Sequence, residues 1–313
     1  MKKTGSILIQ YALIFLGITM ITFFLLHISP GNPAQIWLTG GDGNVGQVSE
    51  EAIRIQEAKM GLDQPFIIQY GRWLGKAVQG DLGTSMQTGR PVIEELAMHM
   101  EPTIVTATTA VLLMMLIAIP LGILCAIYKN QWIDKIVRVI AFLGISTPSF
   151  LNGLLILWIF CLKFGWFSII AESGWRGYVL PIVVLTFQCS TRLVRRVRAL
   201  ILEQLQEKYI QGAIARGVDK KRILLDHVLK NALPPILTWC AIEFGVLLGG
   251  AVVVESIFSL RGIGKLALDA IQNRDYFLVQ GFVLWSAVAF LMIQLFVEIL
   301  GKFIDPRLGT EEN

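Results

Sequence analysis

Charge is scarce in this chain. Only 16% of its 313 residues are charged, while 54% are hydrophobic; a soluble globular chain carries about 25% charged residues. Histidine is scarcer still. His27, His99 and His227 are scattered without ligand spacing, so a metal site built from them is not expected. The four cysteines, Cys125, Cys161, Cys189 and Cys240, each fall within an apolar block and form no CxxC pair. Buried cysteine behaves as a small hydrophobe, so neither a disulfide nor a metal cluster is expected. No GxxxxGK followed by Ser or Thr occurs; Gly262-Ile263-Gly264-Lys265 lacks that spacing, so the chain carries no nucleotide site of its own. There is no HExxH and no pair of intramembrane aspartates, which leaves a membrane-embedded enzyme without a catalytic constellation.

What the chain has instead is length of apolar run. Six blocks reach the ~20 residues a helix needs to cross a bilayer: Ser6–Ile28, Thr103–Tyr128, Val139–Leu162, Tyr178–Ala199, Leu233–Ile257 and Val279–Lys302. The first is too long for a signal-peptide core, and no small-x-small cleavage site follows at Ser29-Pro30, so it reads as an uncleaved span. Basic residues mark the cytoplasmic side. Lys2 and Lys3 precede the first block, and Lys129, Lys135 and Arg138 lie between the second and third. Ten Lys and Arg from Arg192 to Lys230 lie at or beyond the end of the fourth. The long first connection is acidic, with Asp42, Glu50, Glu51, Glu57, Asp63, Asp81, Glu94, Glu95 and Glu101. The expected fold is an all-α integral membrane protein of six transmembrane helices, both termini inside, with a helical extracellular segment between helices 1 and 2. Residues 1–28 form the cytoplasmic N-terminus and first span, 29–102 the outer segment, and 103–313 a five-helix core with a cytoplasmic loop at about 200–232. The net charge of +4 follows from the positive-inside bias and does not point to nucleic acid.

Within the outer segment, Ser49 can cap a helix whose first turn holds Glu50 and Glu51 and whose stop is Gly61. Phe66, Ile67, Tyr70, Trp73, Leu74, Ala77 and Val78 recur at helical spacing before Gly80, predicting a second helix. The Thr39–Gly46 stretch reads as loose. Proline at Pro120 and Pro148 predicts kinks in the second and third spans. Gly245 and Gly249-Gly250 permit close helix approach in the fifth.

Charge inside a bilayer is costly and usually faces a cavity. Glu243 lies about 15 Å into the fifth block at ~1.5 Å per residue, with Asn152 and Gln188 at similar depth. Arg192, one turn beyond Gln188, is placed to pair with Glu243. These four either line a translocation path or form a static network between helices. Glu255, near the outer end of the fifth block, reads as an outer gate or a cap, and Glu298 pairs with Lys302.

The segment Tyr209–Pro235, YIQGAIARGVDKKRILLDHVLKNALPP, breaks the apolar pattern. Ile210, Ala213 and Ile214 share the face of a short helix that Gly217 ends. Asp219 caps a basic helix running toward Asn231, and Pro234-Pro235 opens the fifth span. A short helix with a small-residue face can seat in a cleft of another protein; a solvated basic loop would show the same charges.

The spacing Gln211-Gly212-Ala213 to Gly217 resembles the EAA loop in membrane subunits of binding-protein-dependent ABC importers. Gly61-Leu62-Asp63-Gln64-Pro65, Gly80-Asp81-Leu82-Gly83-Thr84-Ser85, His227 through Leu233, Glu255-Ser256-Ile257-Phe258, Arg274-Asp275-Tyr276 and Asp305-Pro306-Arg307 are similar to the dipeptide, oligopeptide and nickel branch. The likeness runs nearly end to end. It departs at Gln211, where the loop has glutamate, and at Gly212, where it has alanine. The resemblance implies that Gln211, Gly212, Ala213, Ala215, Arg216 and Gly217 couple to an ATP-hydrolysing subunit. It also implies a second homologous permease, two ATP-binding subunits, an extracellular solute-binding protein and a bacterial plasma membrane. ATP and magnesium then belong to the partners, and this chain holds no cofactor and is no enzyme. The stretches Arg138–Pro148, Gln69–Ala77 and Thr88–Val92 look closest to nickel permeases, so nickel, cobalt or a metal chelate is the expected cargo and di- or oligopeptides the alternative. A secondary transporter or channel using Glu243 is the competing class; the lack of an evident internal repeat argues against it.

Overall fold

The computed structural model describes residues 2–28, 31–39, 48–168 and 174–304, with side chains described from residue 9 to residue 299 within those ranges. The element order is α1 (Lys2–Ile28), α2 (Pro33–Thr39), α3 (Glu50–Met60), α4 (Phe66–Val78), α5 (Val92–Ile127), α6 (Trp132–Ser146), α7 (Ser149–Leu157), α8 (Arg176–Gln204), α9 (Lys208–Ala215), α10 (Lys220–Arg222), α11 (Leu229–Leu248), α12 (Val252–Ile257), α13 (Ile263–Gln272) and α14 (Tyr276–Ile304). Trp158–Lys163 and Ile223–Val228 are π-helical turns. Among the described residues no strand occurs beyond a bridge between Thr84 and Pro91. Among the described residues five helical runs are long and apolar enough to cross a membrane, or six if the bent pair α6–α7 is one span. The chain divides into two units, Met1–Glu101 with Arg261–Leu291 and Pro102–Leu260 with Met292–Asn313.

In the first unit, α1 buries Thr19 and Phe23 and leaves Ile9, Leu13 and Leu25 more than 60% exposed. An apolar surface of that kind is stable against lipid. Phe23 packs edge-on to Phe66 and Tyr70, and Thr19 Oγ1 shares a 2.9 Å hydrogen bond with the Tyr70 hydroxyl. The two outer helices form where their caps place them. The Ala52 N–H donates to Ser49 Oγ at 3.2 Å, and Gly61 closes α3 at φ 71°. The apolar stripe of α4 puts Tyr70 and Trp73 against α1. Two further helices have no counterpart among the expected elements, α2 and the amphipathic α13, which buries Ile263, Gly264, Ala267 and Ala270. The loose glycine-rich stretch lies, after Thr39, outside the described residues. Ser85 Oγ donates to Asp275 Oδ2 at 2.5 Å, while Asp275 Oδ1 accepts from the Leu278 N–H at 3.2 Å and so caps α14. One carboxylate thus ties the Gly80–Ser85 turn to the Arg274–Tyr276 turn.

In the second unit, α8 is the central helix, burying Val184, Cys189, Leu193, Val197 and Ile201. Helix α6 approaches it at Gly144, where an added Cβ would stand 2.5 Å from Thr191 Cγ2. Only glycine permits that separation. Asp134, fully buried, clamps the same two helices: Arg198 Nε and Nη2 donate to its Oδ1 and Oδ2 at 2.6 and 2.9 Å.

Two of the expected spans take a different form. Where a single kinked third span is expected, α6 and α7 meet at a 106° bend. Thr147 precedes Pro148 and is held extended at φ −88°, ψ 130°, as sterics require before proline. Pro148 then occupies the N-cap of α7, where its missing N–H costs no helical bond. The fifth span does not restart at Pro234-Pro235. Lys220–Leu248 is one helical run, and both prolines lie inside it. Nor does the fifth span reach Ile257: α11 stops at Leu248, Gly250 turns the chain at φ 95°, and α12 begins anew at Val252. Gly249-Gly250 therefore ends a helix rather than offering a packing face.

Candidate functional site

The break between α8 and α11 folds as its residues dictate. After α9, the Gly217 N–H donates to the Ile214 carbonyl at 2.9 Å and the Val218 N–H to the Ala213 carbonyl at 3.2 Å. This is the Schellman arrangement, which needs a left-handed residue, and Gly217 supplies it at φ 77°. Asp219 Oδ2 then accepts from the Lys221 N–H at 3.1 Å and starts the next helix. The turn is braced by Asn231 Nδ2, which donates to the Tyr209 hydroxyl at 2.8 Å.

Burial divides the faces of α9 differently from the expected grouping. Ile210 and Ala213, three residues apart, are 0% and 2% exposed and belong to the chain's own core. Ile214 is 57% exposed, and Gln211, Ala215, Arg216 and Gly217 are also open, with Gly212 half-buried. Ala213 therefore anchors α9 instead of offering its side chain to a partner. About the helix axis Ile214 stands about 40° from Ile210 and about 100° from Ala213, so it falls at the edge of the inward face, on the side away from Ala213, where the core does not cover it. The free face is that of Ile214, Gln211 and Ala215.

Of the four polar residues placed at membrane depth, two meet. Arg192 Nη2 donates to Glu243 Oε2 at 2.8 Å, joining α8 to α11. Glu243 is buried and the Arg192 side chain is 38% exposed, so the pair has one closed and one open end. Arg192 Nε is buried without a partner. Asn152 joins its own bend, its Oδ1 accepting from Thr147 Oγ1 at 2.9 Å, while its Nδ2 has no partner. Gln188 is half-buried, and its carbonyl accepts from Thr191 Oγ1. Glu255 is 1% exposed on α12, and Thr103 Oγ1 on α5 donates to its Oε1 at 2.9 Å. The Glu298–Lys302 pairing lies outside the described side chains.

Two strong interactions escaped the sequence reading. One is the Asp134–Arg198 clamp, reinforced by Arg138 at 3.5 Å and by the Asn130 N–H at 2.8 Å. Asp134 is the lone carboxylate among the cations of its connection, which was the available signal. The other is Arg196, whose guanidinium stands 3.5 Å over the Trp239 ring.

Residues 118–310 match the family of binding-protein-dependent transport system inner membrane components, and residues 6–108 match the N-terminal region of such components. The chain belongs to this family. The permease is 33% identical to the glutathione transport system permease protein GsiC of Escherichia coli and 34% identical to that of Salmonella paratyphi A, in each case over 93% of both chains. Its fold is similar to an inward-facing structure of the MetNI methionine ABC transporter, with a TM-score of 0.54 at 18% identity, covering 68% of this chain and 97% of that one. The protein is therefore a permease subunit of a binding-protein-dependent ABC importer, a transport component of a bacterial inner membrane and not an enzyme. Such a subunit works with a partner permease, ATPase subunits and a substrate-binding protein. The relatives favour the peptide alternative over nickel or cobalt.

Proposed function

We propose that this permease forms half of the path by which a bacterial ABC importer takes up short peptides, glutathione among them. The observation that carries the reading is the 33–34% identity to glutathione permeases across 93% of both chains. The metal reading has only short local likenesses behind it. Two ATP-binding subunits supply ATP and magnesium, and α9, within the loop at about 200–232, docks on one of them through Ile214, Gln211, Ala215 and Arg216. Gly217 holds the angle between α9 and the next helix, so motion of the ATPase is passed to α8 and α11. The Arg192–Glu243 pair bridges those two helices and lines the path with Asn152 and Gln188. A neutralised pair is cheap to hold in a membrane, and its open end lets a charged cargo compete for either partner. Glu255 acts at the other end of α11, where its bond to Thr103 closes an outer gate.

Uptake of labelled glutathione, of a tripeptide without cysteine and of nickel, in cells with and without this gene, tests the reading. Loss of either peptide with intact nickel uptake is expected. Lost nickel uptake with intact peptide uptake would overturn it and restore the metal cargo.

A further inference from the structure

The first unit holds a cavity of about 390 Å³ bounded by α1, α3, α4 and the start of α14. The proposed transport path and coupling helix use none of it. Helix α4 turns Gln69, Arg72, Trp73 and Lys76 toward it, the i, i+3, i+4, i+7 stripe of one helical face. Lys59 adds a third cation from α3. Among the described residues none of these three cations makes an ion pair or a side-chain hydrogen bond. The carboxylate in the lining, Asp81, already accepts from the Gly83 N–H at 2.9 Å. The Arg72 guanidinium occupies the space a side chain at Gly61 would take, since a Cβ there would lie 2.3 Å from Nη1.

A second, independent feature lies in the same walls. Trp73 Nε1, the Tyr276 hydroxyl and Gln280 Oε1 are buried and have no hydrogen-bond partner. Tyr276 and Gln280 are only 6% and 7% exposed. Buried polar atoms are nearly always paired, and an orphan loses its bonds to water for nothing. Two buried donors without an acceptor thus lie in the walls of a cavity whose three cations, on exposed residues, favour negative charge, and Gln280 Oε1 lacks a donor. Phe23 and Trp37 supply apolar wall.

We propose that this cavity binds a small ligand carrying an oxyanion, a carboxylate or a phosphate, beside an N–H donor. Arg72, Lys76 and Lys59 hold the anion, Tyr276 and Trp73 donate to it, and Gln280 Oε1 takes the N–H. Two sources share this chemistry: the carboxy terminus of a short peptide, which rests on the cargo reading above, and a phosphatidylethanolamine headgroup, which does not.

The test uses the assembled importer in phosphatidylcholine nanodiscs, without ATP or binding protein. Probes are labelled Ala-Ala-Ala, its carboxy-terminal amide, and phosphatidylethanolamine retained from cells and counted by native mass spectrometry. The wild type is expected to bind the tripeptide acid and not the amide, or to retain the lipid. Arg72→Gln with Lys76→Gln should weaken the bound ligand roughly tenfold per cation removed. Tyr276→Phe, which removes one hydroxyl, should weaken it less and guards against a folding defect in the double variant. Tripeptide binding identifies the peptide source. Lipid retention alone identifies the headgroup and stands even if peptide uptake fails in cells. Absence of both ligands from the wild type, or equal binding by every variant, would overturn the proposal.

Discussion

Replacing Asp134 with alanine should be the most damaging single change outside the proposed transport path. The carboxylate is fully buried and accepts three hydrogen bonds, at 2.6 and 2.9 Å from Arg198 and 2.8 Å from the Asn130 backbone. Its removal leaves the Arg198 side chain, 17% exposed, as an uncompensated cation between α6 and α8. Breaking a buried pair in this way costs about 3–5 kcal/mol, because the surviving charge keeps its desolvation penalty. Arg138 adds little: its side chain is 47% exposed and it stands 3.5 Å away. At roughly 1.5 °C per kcal/mol for a chain above about 250 residues, the melting temperature of the purified importer should fall by roughly 5–8 °C. Asp134→Leu combined with Arg198→Leu removes both charges and should recover at least half of that loss. Scanning fluorimetry in detergent reads both variants, and uptake per assembled transporter should keep its KM. A single variant that melts within about 3 °C of wild type, or a double variant no better than the single, would refute the view that the pair fixes α6 against α8.

Two further outcomes bear on the proposed docking helix and the proposed path. Ile214→Glu alters an exposed residue, so the chain should assemble in the membrane and melt normally while ATPase subunits fail to co-purify; Ala213→Glu, at a core position, should instead deplete the folded chain. Normal ATPase recovery with Ile214→Glu would remove the docking face from α9. Glu243→Gln deprives Arg192 of its charge partner, and uptake should fall roughly tenfold, the order expected for one charged hydrogen bond, with little change in melting temperature. A lowered melting temperature with unchanged uptake per transporter would assign the pair to static packing.

Local signals were legible wherever chemistry and position coincide within a few residues. Ser49 and Gly61 bound α3 because a cap and a left-handed stop act on adjacent peptide groups. Gly217 and Asp219 fix the ends of α9 and its successor for the same reason. The Arg192–Glu243 pairing was also readable, since two opposite charges within about one helical turn of the same depth in lipid have few other partners. Proline and glycine inside apolar runs were harder. The same residue type leaves Lys220–Leu248 unbroken at Pro234-Pro235 yet parts α6 from α7 at Pro148, and the difference depends on whether the freed carbonyls find neighbours. α13 was missed because its ten residues sit beside a longer apolar run that dominates the periodic signal.

The sequence by itself determined an all-α membrane permease, the existence of its helical runs and the short helix with its glycine stop between α8 and α11, because hydropathy, caps and motif spacing are properties of contiguous residues. Tertiary structure decided which face of α9 is free, which carboxylate clamps α6 to α8, and which cations in the first unit share a cavity. Those outcomes depend on packing between residues far apart in the chain. Ala213 and Ile214 are neighbours of like polarity, and only the core beneath one of them sets their roles apart.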